Sequence, residues 1–270
     1  MHVISIYNQA GGAGKTTVTR DLGYALSQQG YRVLLIDLDA QASLTRWLGL
    51  LSPTSDEPRP PAARLDRTVF SVISDADADL PEPLRAYGMS VIPANSKLSA
   101  GDALLYDDRA RMDHLRRSIR ALKGEFDVVL LDAPPGRTSM ALAAVAASDS
   151  LLIPVNASKA LENIHNVAEV LRDARMFAPE LRVLAFVPHS LSAKQNHDRD
   201  VLKYLQEELS QLAPSTTPIS FKNVLYKDAS LAQQPVAVFA PKHSPKGEYD
   251  QLASEIAQLA GLTRAHEVTR

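Results

Sequence analysis

Apolar and polar positions alternate through Met1–Tyr7, and the alternation stops at a glycine-rich stretch. That pattern predicts a strand running into a turn. From Lys15 to Gln29 the apolar residues Val18, Leu22, Ala25 and Leu26 fall at the spacing of one helical face. Gly30 is placed to close that helix, because glycine tolerates the left-handed conformation a helix end needs. Arg32–Asp37 is then nearly all apolar, as in a strand buried on both faces of a parallel sheet. Strand, turn, helix and strand make one βαβ unit, with the right-handed crossover that strand twist imposes.

Four more short apolar runs follow, at Ser90–Pro93, Asp127–Asp132, Ser150–Val155 and Arg182–Val187. Helical periodicity appears between and after them, at Arg109–Leu122, Leu161–Arg175 and Tyr249–Leu259. The alternation predicts an α/β fold, a doubly wound, mostly parallel sheet with helices on both faces, as a single domain over residues 1–270. Ser52–Arg67 breaks the pattern with Pro53, Pro58, Pro60 and Pro61 among mixed charges, and predicts an exposed loop.

Composition narrows the chemistry. The chain has no cysteine, which excludes disulfides, thiolate zinc sites and iron–sulfur ligation. Its formal net charge of −2 gives no global pull toward nucleic acid and leaves only a local basic face for that purpose. No basic leader and no run of about 18 apolar residues is visible, so a cytoplasmic location with no membrane span is expected.

Asn8–Thr17, NQAGGAGKTT, follows the first strand and opens the first helix. In that context the backbone N–H groups of Gly11–Thr16 can converge on a phosphate, and the helix N-terminus adds positive potential. Glycines are required because a Cβ would block the approach. Lys15 is placed for the β- and γ-phosphates and the Thr16 hydroxyl for Mg²⁺. The common spacing G-x-x-x-x-G-K-[ST] would put its first glycine at Gln9, and here the glycines crowd before Gly14-Lys15 instead. A chance glycine turn leaves the order strand, glycines, Lys-Thr, helix unexplained. A dinucleotide fingerprint would need a third glycine where Thr17 stands and gives Lys15-Thr16 no purpose.

Asp37 and Asp39 fall at the carboxyl end of the second strand, where open α/β sheets bind ligands. Asp132 ends the apolar run VVLLD and reads as a Walker B acid that holds Mg²⁺ directly or through water. The bland alternative is that these acids cap loops and helices. Spacing does not say which of Asp37 and Asp39 does what.

Together these stretches resemble the ParA/Soj/MinD group of P-loop ATPases, and the ParA side most. The likeness covers nearly the whole chain. Ala10-Gly11-Gly12-Ala13-Gly14-Lys15-Thr16-Thr17 matches the family's phosphate loop. Asp37-Leu38-Asp39-Ala40-Gln41 matches its switch I, and Asp132-Ala133-Pro134-Pro135 its switch II. Weaker echoes are IPAN at Ile92–Asn95, LLIPV at Leu151–Val155, KNVLYKDAS at Lys222–Ser230 and the stretch Pro241–Ile256.

The resemblance implies ATP/ADP with Mg²⁺ as cofactors and an ATP-bound homodimer on non-specific double-stranded DNA. It also implies hydrolysis stimulated by a ParB-like centromere-binding partner, and a nucleoid-associated protein. Gly11, Gly12, Ala13, Gly14, Lys15, Thr16 and Thr17 would hold the phosphates, with Lys15 catalytic. Asp39 would orient the attacking water, Asp37 would organise the Mg²⁺ shell, and Asp132 would link Mg²⁺ to switch II. The sequence departs from the family at Ala10, where a lysine that reaches the partner subunit's phosphates is expected. ATP binding with weakened hydrolysis, or a substitute cation, is the expectation that follows. Phe221 replaces a proline near the adenine, and Pro188 stands where a polar residue often meets the base.

Candidate DNA contacts are Lys194, Arg199, Lys203, Lys222, Lys227, Lys242 and Lys246, with Lys222 at a DNA-facing family position. Any one of these is equally at home on a solvated surface. A second basic helix spans Arg109–Lys123. The tail helix has too narrow an apolar stripe for a membrane surface and is expected to pack on the domain. Two alternatives remain beside a partition ATPase. One is a cargo-positioning or regulatory ATPase of the same fold with a non-ParB partner, which Ala10 favours. The other is a P-loop metabolic enzyme acting on a small substrate, for which no acceptor motif is visible.

Overall fold

The computed structural model describes residues 1–51, 68–75, 77–108, 111–156, 160–191, 196–220 and 222–264, apart from the side chains at 160–166, 190 and 197. Among these residues the chain forms β1 (His2–Ile6), α1 (Lys15–Gln28), β2 (Val33–Asp37), α2 (Ser43–Trp47), α3 (Phe70–Ser74), β3 (Leu84–Ala86) and β4 (Met89–Ile92). There follow α4 (Leu98–Asp107), α5 (Met112–Ala121), β5 (Val128–Asp132), α6 (Ser139–Ala147), β6 (Ser150–Val155) and α7 (Ala160–Ala174). The last third holds β7 (Arg182–Leu191), α8 (Asn196–Glu207), β8 (Ile219–Ser220), α9 (Asn223–Leu231), α10 (Val236–Phe239) and α11 (Ser244–Leu259). The stretch 52–67, expected as an exposed loop, lies outside the described residues.

The strands form one eight-stranded sheet in the order β3-β4-β2-β5-β1-β6-β7-β8. Every neighbouring pair is parallel except β3 and β4. The expected doubly wound architecture follows from the apolar runs, whose alternate residues feed two separate cores. Leu34, Ile36, Val129 and Leu131 enter the core beneath α4 to α7. Val33, Leu35, Val128 and Leu130 enter the core beneath α1 and α11. Strands covered on both faces need no polar side, which is why VLLID and VVLLD read as continuous.

Some elements escaped the pattern. Tyr87 and Gly88, with φ of 51° and 82°, make the tight turn that folds β3 back on β4. β7 runs on to Leu191, past the expected Val187, and β8 has only two residues. α11 starts at Ser244 rather than Tyr249, with Pro245 in its first turn, where a missing N–H costs nothing. Leu252 and Ile256 are fully buried, so the tail helix packs on the domain as its narrow stripe required.

The register places the site. Ile6 pairs with Asp132, and Asp132 pairs with Asp37. The carboxyl ends of β1, β5 and β2 therefore stop at one level. The phosphate loop leaves β1 there, at the point where the chain turns outward to both sides of the sheet.

Candidate functional site

The loop between β1 and α1 is held by its own side chains. Asn8 donates through Nδ2 to the Pro154 carbonyl at 2.7 Å and accepts the Ala10 N–H at Oδ1 at 2.9 Å. Gly12 and Gly14 have φ of 75° and 96°, conformations in which a side chain is strained. Gly11 and Gly12 have open space where a Cβ would stand, so their backbone faces the cavity. Lys15 is buried and donates from Nζ to the carbonyls of Asn8 at 2.9 Å and Ala10 at 3.0 Å. Its ammonium thus lies across the cradle. Burial lowers its pKa, while Asp132 and Asp39 act to raise it.

The cavity has a volume of about 300 Å³, and its walls include Gly11, Gly12, Lys15, Thr16, Asp39 and Pro135. Thr17 and Gly14 also line it, while Ala13 is buried behind the loop. Asp39 is half-exposed and accepts the Gln41 N–H at Oδ1. Asp37 is fully buried, and its oxygens are taken by protein donors. Oδ2 accepts from the Thr45 hydroxyl at 2.6 Å and the Thr45 N–H at 2.9 Å, and Oδ1 accepts the Asp39 N–H at 3.1 Å. Both oxygens are thus engaged by the segment that follows β2.

Asp132 differs. Oδ1 accepts the Thr19 hydroxyl at 3.2 Å, and Oδ2 is buried with no hydrogen-bond partner. Burial raises its pKa, the neighbouring Asp37 raises it further, and hydrogen bonding from Thr16 and the charge of Lys15 act against this. Burial raises Asp37 as well. An orphaned carboxylate oxygen beside Thr16 is the donor set that a Mg²⁺ held by one hydroxyl, one carboxylate or its water, and phosphate oxygens requires. The residues present therefore fit the metal the sequence implied.

Sequence reasoning missed the far wall. His189, one residue beyond Pro188, is buried against Gly14, and burial pushes its pKa down to about 4. Its Nε2 lies 3.4 Å from the Tyr249 hydroxyl, and its ring packs 5.7 Å from that of Tyr226. Phe221 and Lys194 lie outside the described residues. Arg20 and Trp47 were also missed. Arg20 is fully buried, donates to both Asp21 oxygens and to Ser230 Oγ, and lies 5.6 Å over the Trp47 ring. An arginine at a core position of α1 was the available signal.

The expected basic residues divide. Arg199, Lys222, Lys227 and Lys242 are exposed. Lys246 pairs with Asp250 at 2.6 Å and Lys203 with Glu207 at 3.8 Å. Lys227 lines a second cavity of about 420 Å³ that adjoins the first through Thr17, Trp47, Asn223 and Tyr226. Several arginines of the other basic helix are tied down. Arg120 pairs with Asp149, Arg117 with Asp113, Arg111 with Asp108, and Arg116 donates to the Phe177 carbonyl. No helix among the described residues is long and apolar enough to cross a membrane.

Comparison with known proteins agrees with this geometry. A family model described as an AAA domain matches residues 1–182. The chain is 30% identical over 264 residues to the probable plasmid-partitioning protein ParA of Thermus thermophilus, covering 95% of this chain and 78% of that one. It is 28% identical over 260 residues to the sporulation initiation inhibitor protein Soj of Bacillus subtilis, covering 94% and 98%. Among solved structures it superposes with TM-score 0.74 and 28% identity on cobyrinic acid a,c-diamide synthase of Mycobacterium smegmatis with bound ATP analogue and magnesium, covering 94% and 93%.

Proposed function

The chain belongs to the AAA-domain family of P-loop ATPases, in its ParA/Soj/MinD group, and from that premise we propose that it is a DNA-segregation ATPase. In this reading it dimerises with ATP, rides on non-specific double-stranded DNA and hydrolyses ATP when a ParB-like partner engages it. The observation that carries the nucleotide half is the cradle of Gly11 and Gly12, closed by buried Lys15 and backed by the unpartnered Asp132 Oδ2. The partition name of the Thermus thermophilus relative supports the other half. Exposed Lys222, just before α9, and exposed Lys227, which lines the cavity adjoining the nucleotide site, add to that support.

The residues take these roles. Backbone N–H groups of the loop and the Lys15 ammonium bind the phosphates. Thr16 and Asp132 would hold Mg²⁺, which when bound neutralises charge on the phosphate oxygens. Asp39, on the cavity wall, orients the attacking water. Asp37 holds the start of α2 through Thr45, and so fixes where Asp39 stands. His189 and Tyr226 form the wall beyond the phosphates, on the side where a base would lie.

A cargo-positioning ATPase with a different partner is the second reading, and Ala10 favours it because the loop lacks the lysine of the partition pattern. The test is binding of unrelated duplex DNA without nucleotide and with ADP, ATP or a non-hydrolysable ATP analogue, across a salt series with sizing of the same samples. Binding only with ATP or its analogue, falling steeply with salt, is expected. Failure to bind DNA under any condition overturns the partition reading and leaves the ATPase with a protein cargo or a small acceptor.

A further inference from the structure

The cavity is short of positive charge. Among its described lining residues Lys15 is the one cationic side chain, since His189 is held neutral by burial. Lys15 is also partly committed to the Asn8 and Ala10 carbonyls. Asp39 is on the wall, and Asp132 and Asp37 lie behind it. Beside any Mg²⁺, a triphosphate in this cradle meets one cationic side chain, Lys15, with the acid Asp39 on the same wall. Phosphoryl transfer spreads further charge over the terminal phosphate oxygens, which enzymes meet with a fixed cation. Ala10, buried next to Gly11 of the lining, offers none.

One arginine is tethered to the rim of the cavity. Pro135 lines the cavity, and the next residue, Gly136, is clamped to the phosphate loop at both its polar atoms. Its N–H donates to the Gln9 carbonyl at 2.9 Å, and its carbonyl accepts the Tyr7 hydroxyl at 2.9 Å. Arg137 follows directly. Thr138 then caps α6 by accepting the Ala141 N–H at 3.1 Å. The Arg137 backbone is therefore fixed between the loop and a helix start, while its side chain is 44% exposed. Burial pushes the pKa of Tyr7, beneath the loop, up to about 12, and the charge of Arg137 acts against that rise. Beside the Gly136 clamp, Gln9 Oε1 is a buried acceptor with no donor.

In this structure Arg137 is turned away from the cavity. It pairs with Glu169 and, at 3.7 Å, with Asp173, one turn apart on α7. Both acids are about as exposed as the arginine, at 42% and 38%. Pairs this open to water hold weakly, so they set a resting position that a stronger anion can override. The guanidinium fork suits phosphate oxygens at least as well as it suits two carboxylates.

We propose that Arg137 is the second cation of the ATPase site, parked on Glu169 and Asp173 until a terminal phosphate stands at the rim, and then turned onto it. The proposal rests on the ATPase reading above. In the hydrolysis it serves, the water oxygen bonds to the terminal phosphorus as the bond to the bridging oxygen breaks. ADP keeps that electron pair, and the water proton passes to solvent. Arg137 moves no proton. It supplies charge to the oxygens of the transferred group, and it distinguishes ATP from ADP because only ATP has that group.

The test uses the full chain with Arg137→Ala, Arg137→Lys and the pair Glu169→Gln with Asp173→Asn. Trp47, the single tryptophan and a wall of the cavity, reports nucleotide binding by fluorescence. ADP and a non-hydrolysable ATP analogue are titrated separately with Mg²⁺, and phosphate release is followed with ATP. Arg137→Ala is expected to leave ADP affinity within about twofold, to weaken the analogue by about tenfold or more, and to slow turnover by about 10²-fold, the scale of one lost transition-state donor. Arg137→Lys falls between. Freeing the arginine with the Glu169 and Asp173 variants tightens the analogue and leaves ADP alone. Equal weakening of both nucleotides in Arg137→Ala, or an unchanged ratio with unchanged turnover, makes the arginine a mere tie to α7 and overturns the proposal. A wild-type protein that binds neither nucleotide overturns it together with the reading it rests on.

Discussion

Gly14 and His189 are in contact across the mouth of the site: a Cβ on Gly14 would stand 2.6 Å from the imidazole Nδ1. The residue that caps the start of α1 and a residue near the end of β7 thus share one space. Glycine is required there twice, for the contact and for its φ of 96°. Gly14→Ala is expected to destabilise the fold by about 1–3 kcal/mol and to remove nucleotide binding. His189→Ala removes the contact and leaves the backbone strain. In that background Gly14→Ala should still cost about 1–2 kcal/mol, measured by chemical denaturation. A neutral double variant would show that the backbone conformation is not demanding.

The acid pair makes the nucleotide-free protein sensitive to base. Asp132 and Asp37 are both raised by burial, and each disfavours the other's charge. A carboxyl whose folded pKa is raised keeps its proton after the unfolded chain has lost it. Stability therefore falls as pH rises from the ordinary carboxylate range, by up to about 1.4 kcal/mol per unit for one proton. Near pH 6.5 the unfolded His189 imidazole still binds protons while the buried one does not, an opposing contribution that fades above about pH 7.5 and is shared by wild type and Asp132→Asn, so their difference isolates the acid. The melting temperature is expected to drop between about pH 6.5 and about pH 8 in the wild type and to change little in Asp132→Asn. Mg²⁺ with ADP should flatten the wild-type slope, because it favours the ionised acid. A slope unaltered by Asp132→Asn places the proton elsewhere.

Much of this was legible beforehand, for a physical reason. The phosphate loop and the acids at Asp37 and Asp132 are local signals, each a strand end read directly from the chain. Ser150–Val155 was bounded to the residue because a strand buried on both faces has sharp polar edges. What escaped depends on contacts between distant parts. His189 meets Gly14 from 175 positions away, and Arg20 meets Ser230 from 210. The β3–β4 hairpin hides because Tyr87, a residue unusual at positive φ, occupies its turn. Ala10 looked like a missing charge, and the structure shows a carbonyl holding Lys15 instead, with Arg137 two steps along a clamped loop.

Arg20 is the buried hinge between the phosphate-loop helix and α9. Its guanidinium is fully enclosed, paired with Asp21 at 2.8 Å, and stacked on Trp47. Asp21 in turn accepts the Val236 N–H at 2.7 Å, which fixes the start of α10. Removing one partner leaves the other charge stranded in the core, so Arg20→Met is expected to cost about 3–5 kcal/mol. Denaturant titration followed by Trp47 fluorescence reads both the loss and the altered tryptophan environment. A change below about 1 kcal/mol would mean that water or another group takes over Asp21.

Ala10 makes the sharpest test of how charge is supplied to the site. Its side chain is 8% exposed, its amide is held by Asn8 and its carbonyl by Lys15, so the loop conformation does not depend on the methyl group. A lysine at this position can leave along the rim beside exposed Gly11 and bring a second ammonium to the cavity mouth. Because Arg137 fills that role, Ala10→Lys is expected to raise phosphate release little in the wild type and by about tenfold or more in Arg137→Ala, with ADP affinity unchanged, since there the added charge restores what the arginine supplied to the transferred group. The two variants and their combination form a double-mutant cycle on turnover. Simple additivity would mean that the two cations act on separate steps. Failure of the lysine to help in either background would mean that charge at this rim does not limit hydrolysis.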